Sequence, residues 1–231
     1  MKFGVIIFPG SNCDQDLIHV LNQVSNQETV KLWHKGTDLH GCTHIFVPGG
    51  FSYGDYLRSG AIAKLSPVME SVIAHANAGG FVMGICNGFQ ILCESGLLPG
   101  ALLRNENQTF ICKNVFLKCE NTDTIISHEL THKPAFKIPI AHAEGRYYAD
   151  ESTIAQLENN NQIIFRYADE NGQVNDKNNP NGSIQNIAGI ANERFNVFGM
   201  MPHPERASSE VLRNTDGRSF FTSIIKNSLV T

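Results

Sequence analysis

Short apolar segments alternate with stretches of helical periodicity through the first half of the chain, and this alternation constrains the fold more than any other feature. Apolar segments at 2–8, 43–47 and 81–85 each run into a turn that contains glycine. Helical spacing follows the first of them, at Leu17, Val20, Leu21 and Val24. Strands and helices that alternate in units of about 30 residues build mostly parallel sheets with helices on both faces. We therefore expect an open, mostly parallel α/β sheet.

The second half of the chain is less regular, but it has no sign of a separate domain. Strands are predicted at 110–119, 162–167 and 184–191, and a helix at 217–229. Residues 169–183 are polar and rich in turn formers, and a strand signal resumes directly after them. We interpret this segment as a surface loop and not as a linker. Since no internal repeat is present either, residues 1–231 are predicted to form a single domain.

The composition excludes several classes of protein. Lysines and arginines number 18 against 22 acidic residues, which gives a net charge of −4, and no basic run provides a footprint for nucleic acid. No apolar segment reaches the roughly 18 residues that a membrane helix needs. The apolar N-terminal segment stops at Pro9 and Gly10, which favours a buried first strand over a signal peptide. Neither a nucleic-acid partner nor a membrane is expected.

The six cysteines indicate the compartment. Their even number allows disulfides, but the chain is long and carries no secretion signal, which favours free thiols in a reducing cytoplasm. No C-x-x-C pair provides the spacing of a zinc site, and the short H-G-C-T-H stretch at 40–44 has no further partner motif. We therefore expect a cytoplasmic protein without a metal site.

One cysteine stands between two glycines where a strand is predicted to end and a helix to begin. Cys86 lies in G-I-C-N-G, with Gly84 and Gly88 two positions away on either side. Nucleophiles on tight strand-to-helix turns need such small neighbours, as in the G-x-S-x-G pattern of serine hydrolases. A helix N-terminus favours the thiolate and offers free N–H groups to an oxyanion. On this stretch alone, a nucleophile and a buried core cysteine remain equally acceptable interpretations.

A base and an orienting acid occur together further along the chain. In M-M-P-H-P-E-R, His203 is bracketed by prolines, and Glu205 two positions on can lie on the same side of an extended segment. The Pro48-Gly49-Gly50 turn also follows a predicted strand, so it should share the sheet edge of Cys86 and supply a backbone N–H there. Read alone, this histidine could equally be a surface residue on a turn. Its combination with the cysteine turn favours a Cys-His-Glu triad.

These motifs together resemble the class I, triad-type glutamine amidotransferases. The residues that carry the resemblance are V-P-G-G-F-S-Y-G-D at 47–55, G-I-C-N-G-F-Q at 84–90 and M-M-P-H-P-E-R at 200–206. Within that class, F-P-G-S-N-C-D-Q-D at 8–16 and A-H-A-E-G-R-Y at 141–147 are similar to the family of glutaminase subunits of phosphoribosylformylglycinamidine synthase, which acts in purine biosynthesis. The resemblance implies a flavodoxin-like fold and hydrolysis of the side-chain amide of glutamine.

The resemblance also implies a role for each residue of the site. Cys86 would form a glutamyl thioester, His203 would move the protons, and Glu205 would orient His203. The resemblance further implies that the backbone N–H groups of Gly50 and Asn87 form an oxyanion hole. It also implies that Gln90 and the region around Asn105 bind glutamine.

A synthetase complex is implied as the partner. The ammonia would pass to a large synthetase subunit, in a complex that contains a small third subunit. No Walker-type or G-x-G-x-x-G motif occurs in this chain, so ATP and Mg²⁺ are expected only on the synthetase. By resemblance, His142, Glu144 and Arg146 are candidates for the side that faces the partner.

Two other functions use the same residues differently. A stand-alone amidase or cysteine peptidase would employ Cys86 and His203 without any synthetase. A non-catalytic regulatory subunit would keep the fold alone, although the intact triad argues against it. Release of ammonia from glutamine that rises when a synthetase is added would exclude the first alternative, and loss of glutamine use on Cys86→Ala would exclude the second.

Overall fold

A mixed β-sheet forms the centre of the computed structural model, which describes residues 1–26 and 28–228. The strands are β1 (Phe3–Ile7), β2 (Val30–Trp33), β3 (His44–Val47), β4 (Phe81–Ile85), β5 (Ala101–Leu103), β6 (Ile111–Cys119), β7 (Phe136–His142), β8 (Arg146–Tyr148), β9 (Ile163–Ala168), β10 (Ile187–Ala191) and β11 (Val197–Met200). The helices are α1 (Asp14–Ser25), α2 (Pro67–Asn77), α3 (Asn87–Glu94), α4 (Glu151–Asn159) and α5 (Arg218–Ser228). No helix in the described part of the chain is both long and apolar enough to cross a membrane.

The sheet has a parallel half and an antiparallel half. Its strand order is β2-β1-β3-β4-β11-β10-β9-β6-β7, and β5 and β8 pair separately. Neighbours from β2 to β11 are parallel, and neighbours from β11 to β7 are antiparallel. The turn between β10 and β11 is too short for the crossover that a parallel pair requires, so these two strands pair antiparallel. The predicted mostly parallel α/β fold is confirmed, and the antiparallel half extends it.

Helices cover both faces of the parallel half. From β1 the chain passes through α1 to β2 on one side, and from β3 it passes through α2 to β4 on the other side. Because parallel crossovers are right-handed, connections that run in opposite directions place their helices on opposite faces. The strands β3 and β4 are buried along their whole length as a result. Their apolar runs are the strongest strand signals in the sequence for this reason.

The predicted bounds agree closely with β1, β3, β4 and β6. The predicted helix at 217–229 is observed as α5, and residue 229 lies outside the described residues.

Five elements were not predicted from the sequence: β5, β7, β8, β11 and α4. Strand β7 contains Pro139, which argues against a strand except at a sheet edge, and β7 lies at one of the two edges of this sheet. Helix α4 begins at a clear capping signal, since the Asp150 carboxylate accepts a hydrogen bond of 2.7 Å from the Thr153 N–H. Strand β11 is only four residues long and contains Gly199, so its pattern is too short to recognise.

Candidate active site

Cys86 occupies a strained turn between β4 and α3. Its backbone has φ 53° and ψ −108°, a combination that residues other than glycine rarely adopt. The next residue, Asn87, is the first of α3, so Cys86 lies directly at the N-terminus of that helix. Strain of this kind persists only where the surrounding structure enforces it, and it is typical of functional positions. The turn is thus a nucleophile elbow in its backbone geometry.

The two flanking glycines allow this turn because other backbone segments pass against them. A Cβ on Gly84 would lie 2.6 Å from the carbonyl carbon and oxygen of Gly88, and also against Leu92. A Cβ on Gly88 would fall well inside van der Waals contact of the Val47 carbonyl oxygen at the end of β3. The elbow therefore depends on glycine at both positions, as the sequence pattern predicted.

Strand pairing brings His203 and Glu205 to the same edge of the sheet as Cys86. Strand β11 is parallel to β4, with Met200 opposite Ile85, so the chain leaves both strands at one edge. The Nδ1 atom of His203 lies 2.6 Å from Oε1 of Glu205, and both side chains are almost fully buried. A 3₁₀ turn begins at Pro204, so the pair meets across a tight turn and not along an extended segment as predicted.

The charges around His203 favour its protonated form. Burial by itself lowers the pKa of His203, but the Glu205 carboxylate and the Cys86 sulfur, together with Cys13, raise that pKa well above its ordinary value. The other ring nitrogen, Nε2, is buried and has no hydrogen-bond partner among the described residues. A base that is oriented on one side and free on the other is suited to exchange a proton with a thiol.

A small cavity of about 80 Å³ opens beside the Cys86 sulfur. Its walls are formed by Gly50, Phe51, Asp55, Ser59, Cys86, Gln90, Ala141, His142, Ala143 and Glu144. Gly50 has φ +132°, which only glycine adopts without strain, and a Cβ there would lie 2.5 Å from the Asn12 amide nitrogen. A wider groove of about 720 Å³ lies away from the triad and is lined by residues such as Lys118, Glu120 and Arg166. Lys118 and Arg166 both form ion pairs with Glu120.

Comparison with known proteins agrees with this geometry. The family model described as a CobB/CobQ-like glutamine amidotransferase domain matches residues 1–223. The chain is 58% identical to the phosphoribosylformylglycinamidine synthase subunit PurQ of Koribacter versatilis over 97% of both chains, and 54% identical to that of Gloeobacter violaceus over 99% of both. A chain in the structure of PurLQS from Thermotoga maritima superposes with a TM-score of 0.85 at 41% identity, covering 99% of this chain and 100% of that one.

This chain belongs to the PurQ family. The resemblance inferred from the motifs is therefore confirmed, as is the flavodoxin-like fold of class I glutamine amidotransferases. Among the predicted site residues, the structure of this PurQ-family chain brings Cys86, Gly50 and Gln90 to one cavity. His203 is close enough to Cys86 to interact with its sulfur, and Asn87 follows Cys86 at the start of α3.

Asn105 lies behind the cavity wall and does not line it. Its side-chain nitrogen donates to the carbonyl oxygens of Thr109 and His142, both at 2.9 Å. Its side-chain oxygen accepts from the Gly145 N–H at 3.1 Å and from Nδ1 of His142 at 3.1 Å. These hydrogen bonds to protein groups brace the segment that carries His142. The contact of the Asn105 region with glutamine stays a prediction.

His142 and Glu144, two of the candidates for the side that faces the partner, both line the cavity. His142 is only 3% exposed. Gln90, predicted as a glutamine contact, also lines the cavity and donates from Nε2 to the Glu144 carbonyl oxygen at 2.5 Å. The A-H-A-E-G-R motif by itself gave His142 and Glu144 no place in the catalytic site, so only the fold reveals that they line the cavity.

Cys13 is a further residue of the site that sequence reasoning missed. Its sulfur lies within 4.8 Å of side-chain atoms of both His203 and Glu205, and Nη2 of Arg206 donates to it at 3.2 Å. The available signal was its position just after β1, a strand that shares the sheet edge of β4. The Cys13, His203 and Glu205 group has the residue types of a metal site, but Nδ1 of His203 already bonds Glu205 and a guanidinium contacts the sulfur, so the geometry fits a base with its orienting acid.

Proposed function

We propose that this PurQ-family chain hydrolyses the side-chain amide of glutamine and supplies the ammonia for synthesis of phosphoribosylformylglycinamidine in purine biosynthesis. The observation that carries the proposal is the strained Cys86 elbow, which meets a buried His203–Glu205 pair at the carboxyl end of a parallel sheet. The full-length identity with subunits named PurQ supports the same activity.

The thiolate of Cys86 attacks the amide carbon of glutamine, and the carbonyl electrons move onto oxygen. His203, which has taken the thiol proton, gives it to the leaving nitrogen, and ammonia departs from a glutamyl thioester. His203 then takes a proton from water as the water attacks the thioester, and returns it to the sulfur as glutamate leaves. Glu205 holds Nδ1 of His203 throughout and stabilises the imidazolium, as the orienting acid of a triad does.

In this proposal two backbone N–H groups stabilise the oxyanion. Asn87 is the first residue of α3, and its N–H has no acceptor within the helix. Gly50 lines the same cavity as Cys86, in a backbone conformation that depends on glycine. A donor of this kind contributes a factor of roughly 100 to 1,000 in kcat. We assign the oxyanion hole to these two groups.

Gln90 and Asn105 serve the substrate in different ways. Gln90 lines the cavity, and its amide oxygen accepts from Nδ2 of Asn87 at 2.9 Å, which ties it to the elbow. It contacts glutamine directly in this proposal. Asn105 acts through the 142–145 segment, which it holds in place with buried hydrogen bonds.

The ammonia passes to a large synthetase subunit in a cytoplasmic complex that also contains a small third subunit. A solved complex named PurLQS contains a chain similar to this one over its whole length, which supports such an assembly. ATP and Mg²⁺ belong to the synthetase in this proposal, and neither nucleic acid nor a membrane takes part.

Paired assays with the synthetase test the proposal. Cys86→Ala abolishes synthesis from glutamine but leaves synthesis from free ammonia at the wild-type rate, because only the thioester step needs the thiol. Unchanged glutamine-dependent synthesis in this variant would refute the mechanism. Equal turnover of unrelated amides, with no increase when the synthetase is added, would instead favour the stand-alone amidase or peptidase.

A further inference from the structure

The cavity beside Cys86 presents hydrogen-bond acceptors and no cation. Two carboxyl groups, Asp55 and Glu144, stand in its wall, and no lysine or arginine is among the described residues that line it. Burial, reinforced by the neighbouring Glu144 carboxylate, raises the pKa of Asp55 to about 6 against the hydrogen bonds from Ser59 and Asn87. Two nearby carboxylates at one small cavity repel each other unless a positive group lies between them. The cavity therefore favours a positively charged ligand.

Both carboxyl groups are fixed in position by the protein. The Glu144 carboxylate accepts from the hydroxyl of Ser59 at 2.8 Å and from its N–H at 3.3 Å. The Asp55 carboxylate accepts from Nδ2 of Asn87, the residue next to the nucleophile, at 3.3 Å. Asp55 also follows Tyr53 and Gly54 in a run of three residues with φ between 54° and 69°. Such a run is costly, which indicates that the position of this carboxylate is functional.

His142 supplies an independent third acceptor. It is 3% exposed, it lines the cavity, and its Nε2 has no hydrogen-bond partner among the described residues. Its other nitrogen, Nδ1, faces the side-chain oxygen of Asn105, which can only accept, so Nδ1 carries the hydrogen. Burial, with His203 nearby, lowers the pKa of His142 to about 4, so the ring is neutral near pH 7. Nε2 is therefore a buried lone pair that needs a donor.

We propose that the α-ammonium group of glutamine binds between Asp55 and Glu144, with Nε2 of His142 as a third acceptor. An ammonium group has three N–H donors and a positive charge, which match three acceptors and two carboxylates. This inference rests on the proposed function and adds how the substrate is selected. The α-nitrogen of glutamine is separated from the amide carbon by Cα, Cβ and Cγ, so the cavity next to the Cys86 sulfur is within its reach.

The subsite selects free glutamine over other primary amides. A glutamine residue inside a peptide has its α-nitrogen in an amide bond and carries no charge there. An amide without an α-amino group would leave the carboxylates facing each other, and buried polar groups without partners are costly. The same wall therefore excludes peptide glutamine and simple amides.

A comparison of two substrates tests the subsite on the full chain in complex with the synthetase. The substrates are L-glutamine and 4-carbamoylbutanoate, which is glutamine without the α-amino group. The wild-type chain prefers glutamine in kcat/KM, and Asp55→Asn and Glu144→Gln each lower kcat/KM for glutamine by about 30- to 1,000-fold, mainly through KM, as for truncation of a buried charge pair. The same variants change kcat/KM for 4-carbamoylbutanoate by less than about threefold, so the preference collapses.

A control variant and a labelling assay separate recognition from folding. Asp123→Asn removes an exposed carboxylate that does not line the cavity and leaves both substrates unaffected. A chloroketone analogue of glutamine labels the Cys86 thiol of the Asp55→Asn variant more slowly than that of the wild type, whereas iodoacetamide labels both at the same rate.

The outcomes address the two proposals separately. If the wild-type chain does not release ammonia from glutamine at all, the proposed function fails. If it hydrolyses glutamine but Asp55→Asn and Glu144→Gln lower kcat/KM equally for both substrates, the α-ammonium subsite is overturned and the activity stands. A wild-type chain without preference between the two substrates would overturn the subsite as well.

Discussion

Replacing Glu205 by glutamine removes one charge from the triad and keeps the shape of the side chain. In the wild-type chain, Oε1 of Glu205 lies 2.6 Å from Nδ1 of His203, and the two side chains are 1% and 2% exposed. In Glu205→Gln the new side chain still reaches Nδ1, but its neutral amide no longer balances an imidazolium. Burial then acts on His203 with less opposition, so the pKa of His203 falls.

The structure sets the size of the effect. Both partners are buried, so solvent does not screen the pair, and removing one partner of a buried ion pair costs about 3–5 kcal/mol. In triads of this type, exchange of the orienting acid for its amide lowers kcat on the order of 10,000-fold. We expect a loss of at least about 100-fold in glutamine hydrolysis, together with a clear loss of stability.

The pH dependence gives the sharper test. Because the folded pKa of His203 lies above its ordinary value of 6.5, the charged pair stabilises the folded chain below pH 6.5, and this stabilisation is lost as the pH rises through the folded pKa. The difference in Tm between wild type and Glu205→Gln is thus fully present below pH 6.5 and narrows as the pH rises through the folded pKa of His203. The basic limb of the pH–rate profile moves to lower pH in the variant, since it reports His203.

Thermal unfolding and glutamine hydrolysis at a series of pH values measure these changes. Asp16→Asn is a suitable control, because that carboxylate is half exposed and pairs with Arg206 on the surface side of the same region. The control retains the wild-type pH profile. A basic limb that stays in place in Glu205→Gln, or a Tm difference that grows with pH, would refute the assignment of the charged pair.

Three further predictions concern the cysteines and the elbow. Gly88→Ala forces a Cβ into the carbonyl group at the end of β3. We expect it to lower the free energy of unfolding, measured by chemical denaturation, by about 1–3 kcal/mol or more and to remove glutaminase activity. Full activity would mean that the elbow tolerates a side chain. Cys13→Ala removes one of the groups that raise the pKa of His203, so the basic limb of the pH–rate profile moves to slightly lower pH. An unchanged limb would show that the Cys13 thiol does not affect the pKa of His203. A chloroketone analogue of glutamine modifies Cys86 and not Cys93, since burial raises the pKa of the Cys93 thiol. Mass spectrometry of the labelled peptides checks this, and label on both cysteines would contradict it.

The parallel half of the fold and the triad were accessible from the sequence because each depends on local patterns. Strands buried on both faces give continuous apolar runs, and the elbow needs two glycines around Cys86. The His203-Pro204-Glu205 stretch places base and acid within one turn, so their contact is a short-range property.

The rest of the site depends on contacts that no local pattern encodes. Asp55 and Glu144 face each other only because a loop after β3 and a loop after β7 meet over the elbow. Asn105 forms hydrogen bonds with backbone groups that are distant in sequence. Cys13 enters the site through the pairing of β1 with β3, which a linear pattern does not reveal.

The pairing of β11 with β4 has a consequence for how the chain matures. Cys86 lies in the first half of the sequence and His203 near its end, so the base reaches the thiol only after β11 has inserted between β4 and β10. Pairings so distant in sequence form late in folding, because loop closure must come first. In a growing or partly folded chain, Cys86 therefore lacks its base, and the triad is complete only when the sheet is complete. Insertion of this one short strand is the step that brings His203 and Glu205 to Cys86.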